Sequence, residues 1–169
     1  MEQNENNKIE LKDKLMSFYN TNKVKIYAFI GILIIIVISL AFIKISNEKR
    51  NILIGNKYIK AGLYLTSGKN DQSKNLYKEI ILSKNKFYSI LALNILIEKN
   101  LISNKNEILN YFKIVEKINI SQEQHDLIVF KKALYLIKNS NNKNGNELLE
   151  NLIKNNYKLN SLAKEILNK

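Results

Sequence analysis

Apolar residues follow two different patterns along this chain. From Ile26 to Ile43 they run almost unbroken, IYAFIGILIIIVISLAFI, with no charged residue among them. After Ser46 they recur every three or four positions, the spacing of one face of an α-helix. The first pattern predicts a membrane span. Eighteen helical residues at ~1.5 Å each extend about 27 Å, close to the thickness of a bilayer's hydrocarbon core. Lys25 and Lys44 bracket the run, where their stems can reach the interface, and Tyr27 sits at headgroup depth. A helix apolar on every side would otherwise need protein all around it, and the rest of the chain is too small to wrap it. A cleaved signal peptide is the other alternative. Its apolar core usually runs about 7–15 residues and ends in a small-x-small site. Here the run is longer and Ser39-Leu40-Ala41 lies inside it, so an uncleaved anchor is expected.

The second pattern predicts helices throughout, separated by asparagine, glycine and serine stops. They are expected over residues 47–66, 71–82, 86–99, 105–118, 121–138, 145–154 and 159–167. Gly68 is a candidate left-handed cap for the first, and Ser121 with Gln124 reads as a capping box for the fifth. The chain therefore divides into a tail (1–25), an anchor (26–45) and a helical domain (46–169). In the tail, Ile9, Leu11, Leu15, Met16, Phe18 and Tyr19 form a rough helical stripe with lysines opposite. Such a stripe suits an anionic membrane surface, and a solvated tail is the alternative.

The helices read as hairpins, and the hairpins repeat. Ala61-Gly-Leu-Tyr-Leu, with Ser73 and Ile80-Ile81 further on, has a counterpart in Ala133-Leu-Tyr-Leu-Ile with Gly145 and Leu152-Ile153. A weaker copy starts near Ala92 and closes with Ile108, Leu109 and Phe112. The mean step of about 36 residues falls near that of helix–turn–helix repeats. Small residues at 61, 92 and 133 fit positions where the two helices of a hairpin approach closely, and large residues of the second helices fill the grooves between hairpins. The expected fold is all-α, one transmembrane helix followed by a degenerate tetratricopeptide-like domain, with an irregular helical bundle as the alternative. Stacked hairpins make a concave face from their first helices, able to take peptides. By the repeat register Tyr58, Ser89 and Phe130 should point to that face, with Leu65, Leu93, and Leu134 or Ile137 nearby.

Composition narrows the chemistry. The 169 residues contain no proline, cysteine or tryptophan. Without proline nothing forces a break in a helix; without cysteine there is no disulfide, thiolate ligand or thiol nucleophile. Net charge is +12, but the excess is spread thinly, with a single arginine (Arg50) and no basic run longer than two. Nucleic-acid interfaces cluster their cations on one face, so nucleic acid is a disfavoured partner. The only histidine, His125, lies in the expected first turn of a helix, which suits a solvated or capping role and excludes a multi-histidine metal site. Glu147 and Glu150 suit the favourable N-terminal end of a helix dipole better than an acid–base pair. No glycine-rich phosphate loop or nucleophile elbow occurs. The expectation is a protein that binds, without cofactor or metal, and is not an enzyme.

One family matches this order of elements. A lysine-rich tail, one span, Gly68-Lys-Asn-Asp-Gln-Ser-Lys-Asn-Leu-Tyr-Lys-Glu-Ile-Ile81 and then Phe87-Tyr-Ser-Ile-Leu-Ala-Leu resemble the ancillary Sec-translocon subunit family of proteobacteria. The resemblance covers most of the chain. It implies an inner-membrane protein with a cytoplasmic N-terminus and periplasmic repeats, an adaptor whose partners are translocon subunits, periplasmic chaperones and exported chains. The charges flanking the span, Lys23 and Lys25 against Lys44, Lys49 and Arg50, do not decide orientation by themselves. Two other functions fit the same pattern: an envelope scaffold in division or outer-membrane assembly, and a cytoplasmic-facing domain that binds nucleic acid or anionic lipid.

Overall fold

The computed structural model describes residues 2–139, 141–154 and 159–168. Among the described residues the protein is all-helical, with α1 (Glu2–Thr66), α2 (Asn70–Leu82), α3 (Tyr88–Glu98), α4 (Lys105–Glu116), α5 (Gln122–Lys138), α6 (Asn142–Lys154) and α7 (Asn160–Leu167) in order. Two compact units result, residues 1–49 and 50–169.

The first unit is helix alone. Its most apolar 18-residue window has a mean hydropathy of 3.0 and none of it is buried against protein, so α1 is long and apolar enough to cross a membrane. Two hydroxyls of this unit turn back onto their own helix: Ser39 Oγ donates to the Ile35 carbonyl at 2.8 Å and Thr21 Oγ1 to that of Ser17 at 2.9 Å. Such internal bonds satisfy these two hydroxyl donors without water. Within the tail stripe the side chains of Ile9 and Leu11 lie outside the described residues; Leu15, Met16, Phe18 and Tyr19 are exposed. The first helix of the domain, expected to start near residue 47, is continuous in backbone with the residues before it. Helical backbone runs on through residues 44–50 because those residues hold no proline or glycine. A change from apolar to polar side chains alters what surrounds a helix without ending it.

The second unit begins where α1 meets α2. Arg50 donates to the Ser83 carbonyl (2.7 Å), Lys57 Nζ to Glu79 Oε2 (2.8 Å), and the rings of Tyr58 and Tyr77 lie 5.6 Å apart, edge to face. Rising numbers on one helix meet falling numbers on the other, so the two form an antiparallel hairpin. Its turn needs a left-handed residue, and Gly68 supplies it at φ +72°, letting the Lys69 N–H reach the Tyr64 carbonyl at 2.8 Å. Side-chain caps set the later boundaries. Asn85 Oδ1 accepts from the Phe87 and Tyr88 N–H groups, both at 3.0 Å, which moves the start of α3 to Tyr88. Asn104 caps α4, and the capping box of Ser121 and Gln124 opens α5. Helices α4 and α5 are antiparallel: Lys105 reaches the Asn139 carbonyl (3.3 Å), Phe112 meets Tyr135 (5.9 Å) and Lys132 pairs with Glu116 (2.8 Å).

The core follows a regular spacing. Ala61, Ala92 and Ala133 are all fully buried. Sixteen residues beyond each lie Tyr77, Ile108 and Leu149, and nineteen beyond lie Ile80, Tyr111 and Leu152, all six buried. Twelve beyond Ala133 lies Gly145. A Cβ placed there would stand 2.5 Å from Ile137 Cγ1 and 2.9 Å from the Ala133 carbonyl oxygen, so α5 and α6 touch almost backbone to backbone. This contact also explains why α6 starts at Asn142 and not at Gly145: the glycine serves packing inside the first turn and does not begin the helix. Apolar side chains gather into two clusters. One is shared by the 50–66 segment, α2, α3 and α4 and reaches Ile128; the other holds Ala133, Leu149, Leu152 and Ala163.

Candidate functional site

An open groove lies between α3 and α5, lined by Asn94, Ile97 and Glu98 on one side and Lys131, Leu134, Tyr135 and Lys138 on the other, with about 200 Å³ of accessible space. Packing fixes both walls. Lys131 Nζ donates to Asn94 Oδ1 at 3.0 Å, tying the helices together at one end of the groove. Tyr135 leans on Phe112 of the core, and its burial raises the phenol above its ordinary value. Ile97, Leu134 and Tyr135 form an apolar floor; Lys131, Lys138 and Glu98 supply charge at the edge. The lysine stems can lie along that floor with their ammonium groups in water.

Of the residues expected on a binding face, Leu134 lines this groove. The others lie elsewhere. Ser89 is fully buried and its Oγ donates to the Ile80 carbonyl at 2.9 Å, so it joins α3 to the end of α2 and has no surface to offer. Leu93 is a buried core residue. Tyr58 is half-buried between Tyr77 and Tyr88, 5.6 Å from each; burial, then the charge of Glu98, raises its phenol. Phe130 and Ile137 pack against the second core cluster. Leu65 is half-buried near the end of α1. The expected register on α5 was rotated by about one residue. Phe130 and Ile137 turn inward onto the second cluster, whereas 131, 134, 135 and 138 share the groove face. A readable signal was present: Lys131 and Lys138 stand seven apart with Leu134 and Tyr135 between, the pattern of an apolar strip edged by long cations.

Elsewhere the polar contacts are structural. Lys78 Nζ meets Glu107 Oε1 at 2.6 Å and the Tyr111 hydroxyl donates to the same oxygen at 2.9 Å, linking α2 to α4. His125 is partly exposed, and the neighbouring Asp126 is buried and accepts from Gln122 Nε2 at 2.8 Å. Among the described residues no three His, Cys, Asp or Glu side chains converge on a metal position.

These features define a class: an all-helical protein with one helix able to cross a membrane and an open groove in its helical domain. No protein family, curated protein or solved structure matches the chain.

Proposed function

We propose that this protein is a membrane-anchored interaction adaptor. Residues 26–45 hold it in the bilayer, and residues 46–169, read as tetratricopeptide-like hairpins, hold partner proteins; it binds and does not catalyse. The observation that carries this reading is the α3–α5 groove, an apolar floor left open between two helices and edged by Lys131, Lys138 and Glu98. A cleft of that kind receives a polypeptide segment with apolar side chains. The shared burial spacing after Ala61, Ala92 and Ala133 supports the repeat reading. The sequence resemblance supplies the setting: the bacterial inner membrane, the N-terminus in the cytoplasm and the helical domain in the periplasm. There the adaptor would stand beside the Sec translocon, linking exported chains to periplasmic chaperones.

Two experiments test it. Reporters active only in the periplasm or only in the cytoplasm are fused in turn after Lys169. Periplasmic activity supports the export setting. Cytoplasmic activity ends it and favours a basic surface facing nucleic acid or anionic lipid. A photo-crosslinking residue in place of Leu134 should then capture translocon subunits, chaperones or exported chains in living cells. Capture of none of these removes the adaptor reading.

A further inference from the structure

A second groove runs along α5 between α4 and α6, with about 490 Å³ of accessible space, and its chemistry differs from the first. Five of its eleven lining residues are asparagine, against 27 of 169 in the chain. Its floor is apolar, made by Leu109, Leu136 and Leu148; its rims carry Asn106 and Asn110 on α4 and Asn144 on α6. All three rim asparagines are exposed. Among the described residues none of their side-chain amides is hydrogen-bonded to protein.

We propose that this groove binds the main chain of an extended polypeptide, reading its amides and not its side chains. A carboxamide offers both donors and an acceptor, the complement of the N–H and C=O groups of a peptide backbone. The spacing also fits. Asn106 and Asn110 are one helical turn apart, a rise of about 6 Å, and an extended chain repeats its orientation every two residues, about 6.7 Å. Successive asparagines on α4 therefore meet equivalent groups of a strand laid along the groove. Asn144 faces them from α6, while the leucine floor takes the small or apolar side chains that point inward. Charge adds little selectivity: Lys132 is already paired with Glu116, and Lys113 and Glu147 are of opposite sign. The occupant is thus an unfolded or extended segment of low sequence specificity. This site is separate from the α3–α5 groove, and the proposal rests on the adaptor reading only in that both concern polypeptide partners.

The full chain in lipid nanodiscs is titrated into a fluorescein-labelled, end-capped peptide of alternating serine and valine, with anisotropy as the readout and empty nanodiscs as the blank. A copy of the peptide N-methylated at alternate residues keeps its side chains and loses donors. The unmodified peptide should bind, and the N-methylated copy should bind at least ten-fold more weakly. Asn106→Ala/Asn110→Ala/Asn144→Ala should weaken binding of the unmodified peptide about ten-fold with helix content unchanged by circular dichroism. Equal binding of the two peptides, binding within two-fold in the triple variant, or no binding at all would overturn the proposal. So would displacement of the peptide by maltoheptaose, because the amides would then be reading sugar hydroxyls. Binding that ignores the asparagines but falls in Leu134→Ala/Tyr135→Ala leaves the adaptor reading standing and removes this site alone.

Discussion

At Gly145 a single hydrogen atom stands where any other residue brings a carbon. With Ile137 Cγ1 2.5 Å and the Ala133 carbonyl oxygen 2.9 Å from that position, Ile137 must leave its rotamer and the two helices must also separate. Gly145→Val should therefore destabilise the full chain in detergent by about 1–3 kcal/mol, measured by denaturant unfolding followed by circular dichroism. Glu107 makes a prediction of a different kind. The hydrogen bond from Lys78 is the largest of the contacts that hold its carboxyl below the ordinary carboxylate value, with the Tyr111 hydroxyl and the charge of Lys78 assisting against partial burial. Its contribution is present above the unfolded carboxylate value, about 4.3, and is lost as pH falls through the lower folded value. Glu107→Gln should make the acid limb of the stability curve shallower. Tyr111 responds at the other end: burial first, then Glu107, raises its phenol, so stability present below about pH 10 should decline in stronger alkali. Tyr111→Phe should flatten that decline in a melting series.

Among the elements, α5 depends most visibly on its start. Ser121 Oγ accepts from the Gln124 N–H at 3.4 Å, while Gln124 Oε1 accepts from the Ser121 N–H at 3.3 Å. Ser121→Ala removes one half of this exchange and should cost about 1 kcal/mol, read as a lower denaturation midpoint. Helix starts of this sort were legible because their donors and acceptors lie within three residues of one another. Ser121 at the start of α5 and Gly68 at the end of α1 act locally, and the sequence carries local chemistry openly. The start of α3 was less legible because Asn85 can cap from more than one distance, and it caps Phe87 and Tyr88. The inward rotation of Phe130 and Ile137 was hidden for a different reason. An α-helix turns 100° per residue, so an apolar stripe wide enough to meet two clusters does not reveal which edge faces a groove. Ser89 could not be recognised as buried from its residue type: its hydroxyl is satisfied by the carbonyls of Ile80 and Ile81, which only the folded chain brings to it.

For the molecule as a whole, the bare apolar stretch of α1 dominates behaviour in solution. Phe29, Ile35, Val37 and Phe42 are each more than 60 % exposed, a surface that water would drive into aggregation or into lipid. The protein should stay with membranes through alkaline carbonate extraction, and its intact mass should retain residues 26–45. Ile34→Lys/Ile36→Lys places two charges at the centre of the stretch, at about 2.5–3.5 kcal/mol each, and should move much of the protein to the soluble fraction. Loss of the N-terminal mass in the wild type would instead identify the stretch as a cleaved signal. The long apolar helix was legible from its unbroken run of apolar residues, whereas the groove faces depended on the rotation of α5.

The tight first turn of α6 also bears on how this protein ages. Asn144-Gly145 is the dipeptide most prone to succinimide formation, in which the backbone nitrogen of the glycine attacks the asparagine carboxamide and ammonia leaves. In the folded chain that nitrogen sits in helical geometry, its N–H donated to the Asn141 carbonyl at 3.1 Å, and it cannot swing toward the side chain. Deamidation at Asn144 should therefore proceed mainly from opened molecules. In a peptide digest analysed by mass spectrometry, the fraction of aspartate and isoaspartate at Asn144 becomes a cumulative record of the time that α6 has spent unwound.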